Sequence, residues 1–181
     1  MTFKQVELNP KLANGFSLFE MLVVIIVIGL LIYASFPHYF STIENSKGRV
    51  LEFQAATFAR TIENLYGKSR MSGAREVALN GITIYMNERG WPASTSKETS
   101  LKSYNQSPKE CELLWKGIFQ NAPESVIVNT ESRTNSNKNA DFEIFSINGR
   151  ICRYELVGKQ DERYFFDYDL RTGEVTVHSP Q

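Results

Sequence analysis

Hydrophobic residues are concentrated in one long stretch near the N-terminus of the chain. Residues 16–36 read FSLFEMLVVIIVIGLLIYASF, and Glu20 is their only charged residue. As an α-helix, a stretch of this length spans about 30 Å, the thickness of a hydrocarbon core. Its β-branched residues are compatible with a helix, because a bilayer forces backbone groups to pair within the segment. We therefore predict a membrane-spanning helix.

A second hydrophobic pattern follows, with the spacing of an amphipathic helix. Pro37 has no N–H to donate to the preceding turn, so we expect a helix kink there. Apolar residues then recur on one stripe about 120° wide: Leu51, Ala55, Ala59, Phe58, Ile62, Leu65 and Tyr66. Gly67 and Gly73 mark the helix end. The pattern predicts one helix of about 75 Å over residues 16–66.

Alternating residues in the C-terminal part predict two β-hairpins. Asn148-Gly149, a strong hairpin signal, separates FEIFSI from RICRYELV. RTG separates RYFFDYDL from EVTV. These segments predict a four-stranded antiparallel meander, one face of which covers the amphipathic part of the long helix. The predicted fold class is α+β.

The segment between the helix and the hairpins has weaker patterns. Residues 82–86 alternate like a short strand that Gly90-Trp91-Pro92 ends, and CELLWKGIF predicts one or two helical turns. Residues 94–108 and 129–141 are rich in polar side chains and predict surface loops. Loops of this kind are where recognition of a ligand would lie.

Composition and charge narrow the functional classes. Twenty Lys and Arg balance twenty Asp and Glu, so the chain has no electrostatic footprint for nucleic acid. The cysteines, Cys111 and Cys152, and the histidines, His38 and His178, are too few and too scattered for a zinc site. We expect one disulfide between the cysteines of an exported body, with two buried free thiols as the alternative.

No arrangement of residues predicts catalysis, a cofactor or a metal. His178 lies too near the chain end for a Ser/His/Asp site, and no glycine-rich phosphate loop occurs. Four acidic residues near the last hairpin predict a solvated strand edge, with a calcium site as the alternative: Asp161, Glu162, Asp167 and Asp169. Trp91 and Trp115 are expected to pack in the core or a loop, with stacking on sugars as the alternative.

Glu20 needs an explanation, because a carboxylate at the edge of a membrane helix is costly without a partner. The helix macrodipole contributes only about 0.3–1 kcal/mol. No Lys or Arg occurs between Lys11 and Lys47. Cleavage between Gly15 and Phe16 would create an α-amine four residues before Glu20, within reach on a helix. In a bundle, the amine of one chain would meet Glu20 of the next and set the axial register.

These residues resemble the class III signal of type IV pilins and related pseudopilins. The match consists of a short basic leader, Gly15, Phe16, Glu20 as the fifth mature residue, an apolar run and Pro37 at the first kink. The resemblance implies that prepilin peptidase cuts after Gly15 and methylates the amine of Phe16. It also implies that Glu20 recruits the subunit to a filament. The implied partners are homologous pilin subunits, the peptidase, and a pilus assembly platform with its ATPase.

The resemblance also implies the type IV pilin fold, a long N-terminal helix on a four-stranded antiparallel sheet with a disulfide-bounded region near the C-terminus. The expected parts are a leader (1–15), a transmembrane or filament-core helix (16–41) and a head (42–181). Positive charge before the first span holds the N-terminus in the cytoplasm. The precursor is then a single-pass protein of the bacterial inner membrane, and the head becomes extracellular in a pilus or periplasmic in a pseudopilus.

The expected function is that of a structural subunit, a major or minor pilin of a type IV pilus with a role in adhesion. The alternative is a pseudopilin of a type II secretion system. GWP at 90–92 and RTGEV at 171–175 resemble pilins of the mannose-sensitive haemagglutinin type. An ordinary secretory precursor is disfavoured because the apolar run is too long and no small-x-small site follows it. An enzyme on a single-span anchor is disfavoured because no site supports it.

Overall fold

The computed structural model describes four ranges of the chain: 17–97, 105–128, 140–158 and 163–179. Side chains at 37–45 also lie outside the described part. The chain forms two compact units, residues 1–43 and 44–181, and each is described by itself. Helix α1, Leu18–Ser72, contributes residues to both.

The first unit contains the apolar part of α1. Leu18–Phe36 has a mean hydropathy of 2.6 and is long and apolar enough to cross a membrane. Its backbone bonds stay within the helix, as an apolar environment requires. The Ser35 hydroxyl also finds a local partner, because it donates to the Leu31 carbonyl at 2.8 Å. The described segment therefore has no need of water for these polar groups.

In the second unit, the predicted apolar stripe of α1 is confirmed as the core-facing side of the helix. Five of its residues are at most 1% exposed: Leu51, Ala55, Phe58, Ile62 and Leu65. The helix continues past its predicted end near residue 66 to Ser72, and Gly73 follows with φ of +66°. Gly67 lies inside the helix rather than at its end.

A small antiparallel sheet follows the helix, with strand order β1-β2-β3. Its strands are β1 Glu76–Leu79, β2 Ile82–Met86 and β3 Pro92–Ser94. Asn80 and Gly81 have positive φ, 49° and 84°, which suits the tight turn between β1 and β2. Only β2 was predicted; the segment after Gly90 resumes as β3 because it pairs with β2 beyond a register shift at Tyr85/Met86.

The larger sheet corrects the predicted strand count. It has five strands in the order β4-β5-β6-β7-β8: Ser125–Ile127, Phe142–Ile147, Ile151–Leu156, Phe165–Asp169 and Val175–His178. The last four form the predicted antiparallel meander, and Asn148-Gly149 makes its first turn. Strand β4 was missed; it pairs with β5 in parallel, so this sheet is mixed.

Helix α2, Pro108–Ile118, begins with a complete capping box. The Ser107 hydroxyl accepts from the Glu110 N–H at 3.3 Å, and the Glu110 carboxylate accepts from the Ser107 N–H at 2.7 Å. Two otherwise unpaired donors of the first turn are thereby satisfied. The helix is longer than the one or two turns predicted, because its cap lies in the polar segment assigned to a loop. The rest of loops 94–108 and 129–141 lies largely outside the described residues.

Phe58 of α1 lies at the centre of an aromatic core. Its ring centroid is 5.2–6.4 Å from those of four buried aromatic residues: Tyr154, Tyr168, Phe166 and Trp115. Offset and edge contacts of this kind add about 0.5–1.5 kcal/mol per pair beyond the burial of area. The helix and the sheet therefore share one core, as predicted.

The two cysteines form a disulfide within this core. Their Sγ atoms are 2.01 Å apart, and the bridge joins α2 at Cys111 to β6 at Cys152. The alternative of two free thiols is therefore wrong. Nearby, the Tyr154 hydroxyl donates to the Cys111 carbonyl at 3.0 Å. This contact and the bridge hold α2 against the same strand.

Asn87 connects the two sheets, and nothing in the sequence predicted this contact. Its side chain is 2% exposed, and its Nδ2 donates to the Leu170 carbonyl at 2.7 Å. Its Oδ1 accepts from the backbone N–H groups of Arg89 and Trp91, at 2.9 and 3.0 Å. One buried amide thus shapes the β2–β3 turn and attaches it to the turn after β7. The turn sequence NERG predicts a reversal but not the distant partner.

Candidate assembly and processing site

The described residues include part of the candidate site. The bond between Gly15 and Phe16 lies outside them, so cleavage and methylation there stay predictions. Pro37 lies within the helical range of α1, but its side chain is outside the described part. The kink at Pro37 therefore also stays a prediction.

Glu20 lies in the first turn of α1 and is exposed. A carboxylate there complements the partial positive charge of the helix N-terminus. Among the described residues, the ion pairs all belong to the second unit, and Glu20 takes part in none of them. Phe16 lies outside the described residues, so the pairing of its amine with Glu20 stays a prediction.

The side chains around Glu20 form an apolar surface that no described residue covers. None of the Leu18–Phe36 window is buried. Phe19 and Met21, beside the acid, are 73% and 63% exposed, and Tyr33 near the other end is 82% exposed. A helix that is apolar all round requires lipid or other helices around it.

Small residues interrupt this surface near Gly29. A Cβ built at Gly29 would meet nothing within 4 Å. Together with Ala34 it leaves a shallow apolar depression bordered by Ile32 and Phe36. Small residues let neighbouring helix backbones approach closely in a membrane. The surface is therefore suited to helix packing as well as to lipid.

The acidic residues near the last hairpin are partners in cross-strand ion pairs. The Asp167 carboxylate accepts from Arg153 Nε and Nη2, both at 2.8 Å. Asp169 is bonded in the same forked manner by Arg150, which lowers the pKa of the Asp169 carboxyl. Among the described residues, no group of three His, Cys, Asp or Glu could hold a metal ion. Asp161 and Glu162 lie outside the described residues, so a calcium site that includes them is not described.

The two tryptophans pack within the head, as expected. Trp115 is fully buried in the core. The ring of Trp91 stacks on Tyr66 at 4.0 Å with an interplanar angle of 14°. Gly173 lies against the same indole, because a Cβ there would be 2.3 Å from the ring. These contacts use the ring surface that stacking on a sugar would need.

Comparison with known proteins gives a match at the N-terminal part of the chain. The chain matches the family model of the prokaryotic N-terminal methylation motif over residues 10–33, a range that contains Gly15, Phe16 and Glu20. Comparison with curated proteins and with solved structures gives no match. The motif is a class III signal, which implies processing by prepilin peptidase and assembly with other pilins. The motif supports a type IV pilin-like or pseudopilin precursor, and the helix-on-sheet fold is consistent with the type IV pilin fold.

Proposed function

We propose that the chain is a pilin subunit of a type IV pilus, cut after Gly15 and N-methylated at Phe16. The anchor keeps the precursor in the bacterial inner membrane with the head outside, until the assembly platform inserts it into a helical filament with homologous subunits. The observation that carries the proposal is the methylation motif at 10–33, whose apolar helix has no cover among the described residues.

The role proposed for Glu20 follows from electrostatics. A carboxylate in an apolar bundle is destabilising unless it is paired. The amine created at Phe16 would neutralise it, within one chain before assembly and between neighbouring chains in the filament. Because the pair forms only at one axial offset, it selects one register from the many that a uniform apolar helix permits.

The head supports assignment to a pilus through the two segments that resemble haemagglutinin-type pilins. GWP and RTGEV are far apart in sequence, yet Trp91 packs on Gly173. The resemblance therefore falls on two segments that pack together in the head. A pseudopilus would use the same N-terminal chemistry. Localisation separates the two, because pilus subunits collect outside the cell and pseudopilus subunits in the periplasm.

Mass spectrometry of the mature N-terminus tests the processing step. We expect a chain that begins at methylated Phe16 in cells with an active prepilin peptidase. An unprocessed chain that begins at Met1 is expected when the peptidase is absent. A chain that begins at Met1 in both strains would contradict the proposal.

Replacement of Glu20 tests the assembly step. Glu20→Ala should leave the precursor in the membrane but reduce its incorporation into filaments about ten- to hundredfold, because a charge-assisted contact of about 1.5–3 kcal/mol is lost. Glu52→Ala, which removes an exposed acid on the same helix outside the motif, is the matched control. Immunoblots of sheared filaments and membranes measure both. Normal incorporation of Glu20→Ala would reject the pairing.

A further inference from the structure

A pocket of about 220 Å³ lies between the C-terminal end of α1 and the β2–β3 turn. Its lining includes three arginines from three separate segments. Arg70 is in the last turn of α1, Arg75 immediately precedes β1, and Arg89 is in the turn between β2 and β3. No pattern in the sequence predicts this cluster, because the three residues are distributed over twenty positions.

Backbone contacts of the fold bring these segments together. The Met86 N–H donates to the Arg75 carbonyl at 2.8 Å, which fixes Arg75 beside the end of β2. A Cβ built at Gly90 would lie 4.0 Å from Cδ of Arg70, so the aliphatic part of Arg70 runs along the turn that carries Arg89. Asn87 in turn holds that turn in place from within the core.

The pocket has an excess of positive charge. Among the described residues, no ion pair involves Arg70, Arg75 or Arg89. Glu88 also lines the pocket, so three arginines and one glutamate give the lining a formal charge of +2. The nearby end of α1 carries the negative pole of the helix macrodipole, and Arg70 in its last turn offsets it.

We propose that this pocket binds a phosphate-type dianion, either inorganic phosphate or a phosphomonoester on a larger molecule. Guanidinium groups present planar forks of N–H donors that match phosphate oxygens. A tetrahedral dianion offers acceptors to three forks, whereas a carboxylate has only two oxygens. The volume is below the roughly 300–1,000 Å³ of pockets for drug-sized ligands. The pocket therefore suits the ionic group itself.

Calorimetric titration of the full chain in non-ionic detergent micelles tests this site. Inorganic phosphate is the probe, and chloride holds the ionic strength constant so that general screening does not change. We expect saturable binding of the wild-type chain. Arg70→Gln, Arg75→Gln and Arg89→Gln should each weaken it about tenfold or more, as expected for loss of a charge-assisted contact.

Arg60→Gln is the matched control, because Arg60 is an exposed arginine of the same helix outside the pocket. It should bind phosphate like the wild type, and thermal melting should show all four variants folded. The proposal is overturned if phosphate does not bind saturably, or if Arg60→Gln weakens binding as much as the pocket variants.

Glycerol 3-phosphate, titrated in the same way, distinguishes the two sources of the dianion. Binding as tight as that of inorganic phosphate supports a phosphomonoester ligand, because the pocket then admits the attached carbon chain. Binding of inorganic phosphate alone supports a site for the free ion. In either case, Arg70→Gln, Arg75→Gln and Arg89→Gln must weaken the observed binding, whereas Arg60→Gln must leave it unchanged.

Discussion

Gly173 is a position in the head at which both the backbone conformation and the neighbouring side chain require glycine. Its φ of +76° favours glycine, and the indole of Trp91 occupies the space that a Cβ would need. Trp91 in turn stacks on Tyr66 of α1. One missing side chain therefore allows the turn after β7, the small sheet and the long helix to meet.

Gly173→Ala should destabilise the head more than Gly81→Ala. Both glycines have positive φ, which costs an alanine about 1–2 kcal/mol. Only at Gly173 would the new methyl overlap Trp91, which adds about 1–3 kcal/mol of overpacking. Thermal melting of the full chain in detergent, followed by near-ultraviolet circular dichroism, measures the difference. Equal melting temperatures of the two variants would contradict the role of Trp91.

Tyr154 and Tyr168 give the head a defined alkaline limit. Both are fully buried, and burial raises the pKa of each phenol well above the ordinary value of 10.0. In the unfolded chain they ionise near pH 10. Their contribution to stability is therefore complete below that pH and is lost as the pH rises above it.

Phenolate absorbance during an alkaline titration tests this prediction. We expect Tyr154 and Tyr168 to form a late group that ionises only together with loss of the near-ultraviolet dichroism of the fold. Tyr154→Phe should reduce that late group to one. Ionisation of all eight tyrosines before unfolding would show that the two hydroxyls are accessible to solvent.

At the scale of elements, the sequence predicted those helices, strands and turns that hydrophobic periodicity or a turn dipeptide marks. The core stripe of α1 and the β5–β6 turn at Asn148-Gly149 are examples. The β1–β2 hairpin was missed although Asn80-Gly81 carries the same signal, because β1 has only four residues and was not recognised as a strand. Strand β4 has three residues and pairs in parallel with β5, so neither its length nor a turn marks it. Such pairing depends on tertiary contacts that no local pattern contains.

Two further differences have local causes. Gly67 costs a helix about 1 kcal/mol relative to alanine, but Tyr66 beside it is held by Trp91, so packing outweighs propensity and α1 continues to Ser72. The cap of α2 at Ser107 was overlooked because it lies within a polar run. At the candidate site, the sequence provided the motif residues, whereas the arginine pocket depends on how three segments meet in space.

We expect the disulfide, which joins α2 to β6, to raise the free energy of unfolding of the head. Cys111 and Cys152 are separated by 41 residues, and closing a loop of that length stabilises the fold by about 4 kcal/mol in the chain-entropy model. The Cys111→Ala/Cys152→Ala variant should lose about this much free energy of unfolding. Urea unfolding of the full chain in detergent, with reduced wild type as the control, measures it. A loss below about 1 kcal/mol would show that core packing alone holds α2.

At the scale of the whole molecule, the distribution of hydrophobic residues along the chain produces two units that require different surroundings. The second unit buries its own core around Phe58, whereas the apolar part of α1 has no cover among the described residues. The first unit thus needs an apolar surrounding that the rest of the described chain does not supply.

Val27 lies at the middle of the Leu18–Phe36 span and tests the need for lipid. Val27→Arg should cost about 2.5–3.5 kcal/mol of insertion free energy and shift the membrane-to-soluble ratio on the order of a hundredfold. Phe53→Arg, on an exposed position of α1 within the second unit, should leave the ratio unchanged. Alkaline carbonate extraction of membranes gives both ratios. Equal retention of the two variants would contradict membrane anchoring by this span.

The apolar surface of the Leu18–Phe36 span, which extends all round the helix, has a thermodynamic consequence. Hydrocarbon tails are as apolar as leucine, so exchanging lipid neighbours for helical neighbours gains almost nothing from the hydrophobic effect. In the proposed filament, the transfer of this span from the bilayer to the polymer would therefore change its free energy very little. Small polar contributions, above all whether the Glu20 carboxylate is paired, would then decide which state is more stable. A small amount of work by the assembly machinery would suffice to move subunits into the filament or back into the membrane.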